Sequence, residues 1–301
     1  MEVDMGISIN TNMPSINAQN SLQKIQSALP KIMGQLSSGY QINSAADNAA
    51  GLAIATTMNS DVRAFAVSIN NANDGMSMVQ TADGAMSNIN DTLQDVRALA
   101  LQAQSGQYNT EDVKNMQEQA DALLSSIDTT ATQTSFNEQK LLDGSFSKSI
   151  FIGTGPEDKS IKVDVGNMQI SSLGSDSNAN LASVMSPQAA QQAGQSNGGQ
   201  ASLETNPSQA VNIIDAAMNT VNSERSKLGA LSNRFESSVN NLSTTSVNTQ
   251  AAVSRIMDTD YAQATSDLQK NLIKNNATIS MLAQANVQPQ NSIRLLMPWG
   301  S

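Results

Sequence analysis

Two short stretches of this 301-residue sequence carry residue types that could do chemistry. The first, residues 153–160, reads GTGPEDKS and is similar in composition to a phosphate-binding loop. Such a loop needs glycine directly before its Lys-Ser or Lys-Thr pair, so that backbone amides can curl around phosphate. Asp158 holds that position here, and its carboxylate would repel phosphate. We therefore interpret the stretch as a turn.

The second stretch holds Asp258 and Asp260, which could form a metal-binding pair or an acid–base couple. Both also precede a predicted helix, where carboxylates cap free backbone amides, and we favour this structural role. The chain has no histidine, the commonest general base and transition-metal ligand. Because it has no cysteine either, thiol nucleophiles, thiolate metal sites and disulfides are excluded. We expect no catalytic residue, no metal site and no cofactor, and we do not predict an enzyme.

The composition argues against two further classes of partner. Acidic residues outnumber basic ones by 26 to 16, and the concentrated basic surface that nucleic-acid binding needs is missing. No apolar run approaches the roughly 18 residues of a membrane helix, so we expect no membrane insertion. The acidic N-terminus lacks the order of a cleavable signal peptide, which indicates the cytoplasm unless a dedicated export route reads no such signal. We interpret the 15 methionines as core filler rather than a plastic binding groove.

The elements that must position any site are helical. Residues 49–104 contain no proline, and their apolar positions alternate in steps of three and four, which predicts one long helix with a heptad seam. At about 1.5 Å per residue, such a helix would run roughly 80 Å and could not bury its stripe alone. Its seam consists of Val62, Phe65, Ile69, Ala72, Met76, Val79, Ala82, Met86, Ile89, Leu93, Val96 and Ala100.

A mirrored set of elements surrounds this helix. A first helix starts after Asn12, with a kink or break expected near Pro30, and a third starts at a Thr110 cap. Strands are predicted at 149–153 and 160–165. A second long helix, a connector and a last helix follow. The predicted fold is mainly α, an elongated antiparallel helical bundle or coiled coil with paired terminal helices and a small β-hairpin region in the middle of the chain.

Three domains follow from this order. The first is a terminal-helix domain, the second a long-helix bundle with a small β region, and the third a short variable surface segment, predicted as a loop or small excursion. Their residues are, in the same order, 1–46 with 258–301, 47–165 with 207–257, and 166–206.

The apolar stripes could fill a core or contact other subunits. We favour the core for the long helices, and subunit contacts for the terminal helices, because two thin helices have too little to bury on their own. The candidate subunit-contact residues are Leu22, Ile25, Leu29, Ile32, Leu36, Leu268, Leu272, Ile279 and Leu282.

Motifs at both ends resemble those of bacterial flagellins. At the N-terminal end they are INTN at 9–12, LSSGYQINSAADNAAG at 36–51 and NANDG at 71–75. At the C-terminal end they are DTDYA at 258–262 and LAQAN at 282–286. About forty residues separate the matching halves, so the resemblance is to a short form without large outer domains.

The resemblance implies a structural subunit that polymerises into the extracellular flagellar filament used for swimming. It implies export by the flagellar type III apparatus without a cleaved signal peptide, and terminal helices that line the filament core. The implied partners are further copies of the chain, the flagellar cap and hook-associated proteins, and an export chaperone on the C-terminal helix.

Three features depart from the family pattern. The chain continues past Leu296 with Met297–Ser301, either an artificial addition or a divergence. Pro30 is not typical of the first helix in flagellins. Residues Met1–Asp4 look additional, and Met5 is an alternative start.

Flagellins can also be bound by Toll-like receptor 5, through a stretch that matches residues 93–99. Leu99 fits the recognised pattern and Arg97 lies within the stretch. Asp95 stands where an arginine is expected, and Gln119 where a glutamate is expected. The exchange to Asp95 reverses a charge and removes a five-donor fork, so we predict weak activation of the receptor.

Three other functions compete with the filament subunit. A hook–filament junction protein of the same family would share the mirrored ends without polymerising. An enzyme with a zinc-protease insert would need an HExxH motif, which a chain without histidine does not contain. A membrane-inserting helical toxin would release the contents of liposomes.

Overall fold

The computed structural model describes residues 11–153, 160–174, 180–192 and 201–296, with side chains described outside 190–192 and 290–296. The chain divides into two compact units. The terminal unit comprises residues 1–60 and 248–301, and the central unit comprises residues 61–247. The opening Met1–Asp4, the tail Met297–Ser301 and most of the GTGPEDKS stretch lie outside the described residues.

Helices dominate the described chain, as the seams predict. The helices are α1 (Met13–Ser38), α2 (Ala45–Gln104), α3 (Thr110–Gln133), α4 (Pro187–Gln192), α5 (Pro207–Met257) and α6 (Tyr261–Leu296), with a short 3-10 helix at Leu181–Val184. The strands are β1 (Ser135–Phe136), β2 (Gln139–Lys140), β3 (Ser147–Phe151) and β4 (Ser160–Asp164).

Helix α1 has the expected start and an unexpected middle. The Asn12 side chain accepts a hydrogen bond from the Ser15 amide at 3.1 Å, which caps the first turn. The helix then passes through Pro30 as one element, so, of the expected kink or break, the break does not occur. Pro30 and Gln26, whose carbonyl loses its usual partner, are both exposed, so water can serve that carbonyl in place of the missing amide.

Helix α2 contains an extended residue near its start. Asn48 has φ −163° and ψ 97°, and its side chain accepts a hydrogen bond from the Gly51 amide at 2.9 Å. Asn48 therefore acts as a cap, and the uninterrupted helix begins at Ala49, where the sequence places it.

In the terminal unit, α1 and α6 pair in antiparallel order. Asn12 at the start of α1 donates to the Ala285 carbonyl at 2.8 Å, and the Tyr261 hydroxyl donates to the Leu36 carbonyl at 3.4 Å. The connectors meet in an antiparallel bridge between Tyr40 and Asp258. The predicted pairing of the terminal helices, with both connectors at one level, is confirmed.

In the central unit, α2 and α5 run antiparallel. Arg97 pairs with Asp215 at 2.6 Å, and Arg225 pairs with Asp83 at 2.9 Å. Apolar residues of α5 enter the same core as most of the predicted α2 seam, which supports an intramolecular role for the long helices. Val62, Phe65 and Ile69 of that seam are half-buried outside this core. The fully buried seam residues are Ala72, Val79, Ala82, Met86, Ile89, Leu93, Val96, Ala100, Ile214, Val221, Leu228 and Phe235.

Helix α3 and the strands complete this core. The cap of α3 is Asn109 rather than the expected Thr110, because Asn109 and Asp112 bond each other's backbone amides in a capping box. The antiparallel β3–β4 hairpin confirms the predicted strand pair. A smaller β1–β2 hairpin, which the sequence did not predict, turns through Asn137 and Glu138, both with positive φ.

The described parts of residues 166–206, a range expected to be a surface segment, contribute side chains to the core. Ile170, Leu173, Leu181 and Leu203 are fully buried in the core of the central unit. A hydrogen bond from the Leu181 amide to the Leu173 carbonyl, at 2.8 Å, joins two parts of the segment. A segment rich in polar residues therefore still contributes apolar side chains to the core.

Two side chains of α3 hold this segment in place. Gln117 donates to the Val184 carbonyl at 2.9 Å and accepts from the Leu203 amide at 2.7 Å. Asp121 accepts from the Ser186 amide at 3.0 Å and from its hydroxyl at 2.6 Å. Gln117 also donates to Asp121 at 2.7 Å, so both buried side chains are satisfied.

Candidate subunit interface

The predicted subunit-contact residues of the terminal unit fall into two groups. Ile25 is buried against the rest of the unit, whereas Leu272 and Ile279 of α6 are exposed. The others are half-buried along the α1–α6 seam: Leu22, Leu29, Ile32, Leu36, Leu268 and Leu282. Most of the predicted set therefore joins the two helices to each other, and only part of it is free for another molecule.

The most exposed apolar side chains of these helices lie off the predicted seam. Ile273 is 67% exposed and Met281 is 68% exposed on α6, and Met33 is 60% exposed on α1. Met13, Ile16 and Val287 add to this surface. A sequence reading that keeps only heptad positions misses them, although an isolated Ile, Val or Met on the polar side of a seam is the available signal.

We use the name open apolar face for the large apolar side chains that the two helices leave exposed: Met13, Ile16 and Met33 on α1, with Leu272, Ile273, Ile279, Met281 and Val287 on α6. The interpretation of the methionines as core filler is wrong for Met13, Met33 and Met281. Large apolar side chains that a folded chain leaves exposed are candidates for protein–protein contact.

A polar cavity of about 360 Å³ lies within the terminal unit. Lys31 donates to Asp47 at 2.9 Å across its edge. That hydrogen bond, with a second from the Ser44 hydroxyl, lowers the pKa of Asp47 to about 2. The pair links α1 to the start of α2.

Asp260 has the structural role that the sequence favours. Its carboxylate accepts from the amides of Ala262 and Gln263 at 2.9 and 3.1 Å, so it caps the start of α6. Asp258 instead accepts from the Ser254 hydroxyl at 2.5 Å, in the last turn of α5. Across the described ranges, no three acidic side chains group into a metal-binding cluster.

The receptor-like stretch is spread over different environments in the central unit. Asp95 and Gln119 are exposed, on α2 and α3. Leu99 packs against the core, and Arg97 is held by its ion pair with Asp215. Asp95 and Gln119 are therefore exposed to solvent, while Arg97 and Leu99 are engaged within the chain.

Two family models match the chain at its two ends. The bacterial flagellin N-terminal helical region matches residues 9–147, and the C-terminal helical region matches residues 211–296. The chain is also 36% identical to the flagellin of Bacillus subtilis (strain 168), over 96% of this chain and 99% of that protein. It belongs to the bacterial flagellin family.

A second relative agrees with this membership. The flagellar filament 31.3 kDa core protein of Treponema maltophilum is 32% identical, over 96% of this chain and 99% of that protein. A crystal structure of Bacillus cereus flagellin is similar over 61% of this chain and 94% of that chain, with 23% identity and a TM-score of 0.45.

Membership sets the class of function. The flagellin family is a family of structural proteins. Among the described helices of this flagellin-family chain, none is long and apolar enough to cross a membrane. The open apolar face is the strongest candidate site, because Ile273 and Met281 are more than three-fifths exposed, and its chemistry is non-covalent contact.

Proposed function

We propose that the chain is a structural subunit that polymerises into the bacterial flagellar filament used for swimming. Membership of the flagellin family supports this function. The open apolar face carries the proposal, because a folded monomer gains nothing from leaving Ile273 and Met281 more than three-fifths exposed. Neighbouring copies of the chain would cover these side chains, and a contact that does not close into a ring produces a helical filament.

The terminal helices suit this role because they are weak on their own. The described α1–α6 pair buries few large side chains apart from Ile25, and most of its seam stays half-exposed. Paired helices with a thin seam gain most of their stability from further packing. We propose that residues 1–46 and 258–301 form the filament core and complete their packing on assembly.

The remaining regions receive outer positions in the same proposal. Residues 47–165 and 207–257 form the next shell as a long-helix bundle. Residues 166–206 lie outside that shell, with their buried side chains holding them to it.

Finer partners follow from the same assignment. We propose export without a cleaved signal peptide, an export chaperone on α6, and contacts with the cap and hook-associated proteins at the filament ends. Recognition by Toll-like receptor 5 is weak in this proposal, because Asp95 and Gln119 present an acid and an amide, and Arg97 is tied to Asp215.

Seeded growth tests the main proposal. Purified chain is incubated with filament fragments, and electron microscopy records whether regular polymers extend from them. Deletion of residues 1–36 should abolish growth while circular dichroism shows that the central unit remains helical. Normal growth after that deletion would contradict the role of the terminal unit, and a chain that binds fragments without extending them would indicate a junction protein.

A matched pair of variants tests the open apolar face itself. Ile273→Asp places a charge on the face and should stop growth, while Ile273→Leu keeps the apolar contact and should grow normally. Because Ile273 is exposed, the free energy of unfolding of both variants should be within about 0.5 kcal/mol of that of the original chain. Equal growth of the two variants would show that the face is not an interface.

A further inference from the structure

Methionine is distributed unequally between the two units. Met13, Met33 and Met281 are 53%, 60% and 68% exposed, and all three lie on α1 or α6. In the central unit, the described methionines are buried or packed against the core. These central residues are Met76, Met78, Met86, Met116, Met168, Met185 and Met218.

Two of the exposed methionines share one groove. Met13 and Met281 line an apolar groove of about 400 Å³ between α1 and α6, together with Pro14, Ala18 and Ala285. The two thioethers come from opposite ends of the chain, and both are open to solvent. A small oxidant can therefore approach both side chains without any opening of the fold.

We propose that Met13, Met33 and Met281 are oxidation sites, at which a peroxide converts the thioethers of the unassembled chain to sulfoxides and so blocks its addition to a filament. This inference rests on the proposed polymerisation. A lone pair on sulfur attacks one peroxide oxygen, the S–O bond forms and the O–O bond breaks. With hydrogen peroxide, the leaving hydroxide takes the proton from the oxygen now bound to sulfur and departs as water. Sulfur is thereby oxidised and the peroxide is reduced.

The product is poorly suited to an apolar contact. A sulfoxide replaces a flexible apolar side chain with a polar one whose oxygen accepts hydrogen bonds. Covering that oxygen between subunits without a donor costs free energy in every subunit added. Growth should therefore fall by about tenfold or more when the three positions are oxidised. Because methionine sulfoxide reductases reverse the reaction, the block is reversible.

Limited oxidation tests the proposal. The purified chain is treated with hydrogen peroxide, and peptide mass spectrometry follows each methionine. We expect sulfoxide at Met13, Met33 and Met281 before Met86, Met168 and Met185. Seeded growth of the treated chain should fall by about tenfold or more, and treatment with methionine sulfoxide reductase should restore it.

Two controls locate the effect. The triple variant Met13→Leu, Met33→Leu and Met281→Leu should grow equally with and without peroxide treatment, because leucine has no thioether to oxidise. The triple variant Met78→Leu, Met116→Leu and Met218→Leu should still lose growth. A third measurement needs no variant: filaments grown from a partly oxidised mixture should be depleted of sulfoxide at the three positions, relative to the chains left in solution.

The outcomes separate the inference from the proposed function. Full growth of a chain that carries sulfoxide at all three positions, or no depletion in the filaments, would overturn the inference alone. A complete failure of the untreated chain to extend filament fragments would overturn the proposed polymerisation and the inference with it.

Discussion

The two units of the chain share the same helical spacing of apolar residues but differ in how far those residues are buried. In the central unit, α2, α3 and α5 turn their seams into one core with the hairpins and the described part of 166–206. In the terminal unit, α1 and α6 meet along a half-buried seam and leave large apolar side chains outside. Heptad spacing therefore indicates that a helix has a partner, and burial shows whether that partner lies in the same chain.

The largest expected effect separates the two units by their response to the loss of one apolar side chain. Phe235 is fully buried against Gly75, so Phe235→Ala should destabilise the central unit by about 3–5 kcal/mol. Ile273→Ala on α6 should change stability by less than about 0.5 kcal/mol. Hydrogen-exchange mass spectrometry reads the two units separately, and a similar loss of protection in both variants would contradict the comparison.

The second expected effect concerns the polar contacts that hold 166–206. Asp121→Ala removes the acceptor of two hydrogen bonds from Ser186, and should destabilise the central unit by about 1–3 kcal/mol. The exposed neighbour Glu118 provides the control, since the free energy of unfolding of Glu118→Ala should be within about 0.5 kcal/mol of that of the original chain. Urea unfolding followed by circular dichroism measures both, and equal midpoints would show that 166–206 is not held by Asp121.

Glycine substitutions sharpen the comparison inside a single helix. A Cβ at Gly75 would lie 2.5 Å from Ile150 Cδ1 and 2.9 Å from Phe235 Cζ, so Gly75→Ala should cost about 1–3 kcal/mol through overpacking. At Gly84 nothing lies within 4 Å, and Gly84→Ala should stabilise by up to about 1 kcal/mol, because alanine is the better helix former. Thermal unfolding should therefore move in opposite directions for the two variants.

Much of this architecture can be predicted from the sequence, because a period of three and four is local information. The spacing of Leu93 and Val96 alone predicts their burial, and the capping side chain of Asn12 predicts a helix start. The β1–β2 hairpin could not be found in this way, since two-residue strands have no period. The burial of Leu203 depends on Gln117, 86 positions earlier, and no local pattern reports such a contact.

The candidate interface was predicted only in part, for a related reason. Heptad positions such as Leu22 and Leu268 identify where α1 and α6 meet each other. The exposed side chains, such as Ile273, are defined by lacking a partner in the described chain, and spacing carries no information about that. Pro30 shows the opposite error, because its helix tolerates a residue that local rules exclude.

The smallest expected effect is a pH dependence confined to the terminal unit. The Lys31 ammonium and the Ser44 hydroxyl hold the pKa of Asp47 at about 2, below its unfolded value of about 3.9. The stabilising contribution is therefore fully present above the unfolded value, and it is lost as pH falls through about 2.

The stability difference between the original chain and Asp47→Asn should therefore shrink between pH 5 and pH 2. Asp95→Asn, at an exposed position on α2, serves as the control in the same denaturant series. A difference that stays constant across this range would mean that the contact between Lys31 and Asp47 does not contribute.

The hydrogen bond between Asn12 and Ala285 joins residues 273 positions apart. Contacts of such sequence separation give a high contact order, and they form late because the closing loop must lose its entropy first. During synthesis, or during any delivery that starts from one end, α1 emerges long before α6 exists to meet it. Helix α1 can therefore complete its packing only after α6 has emerged.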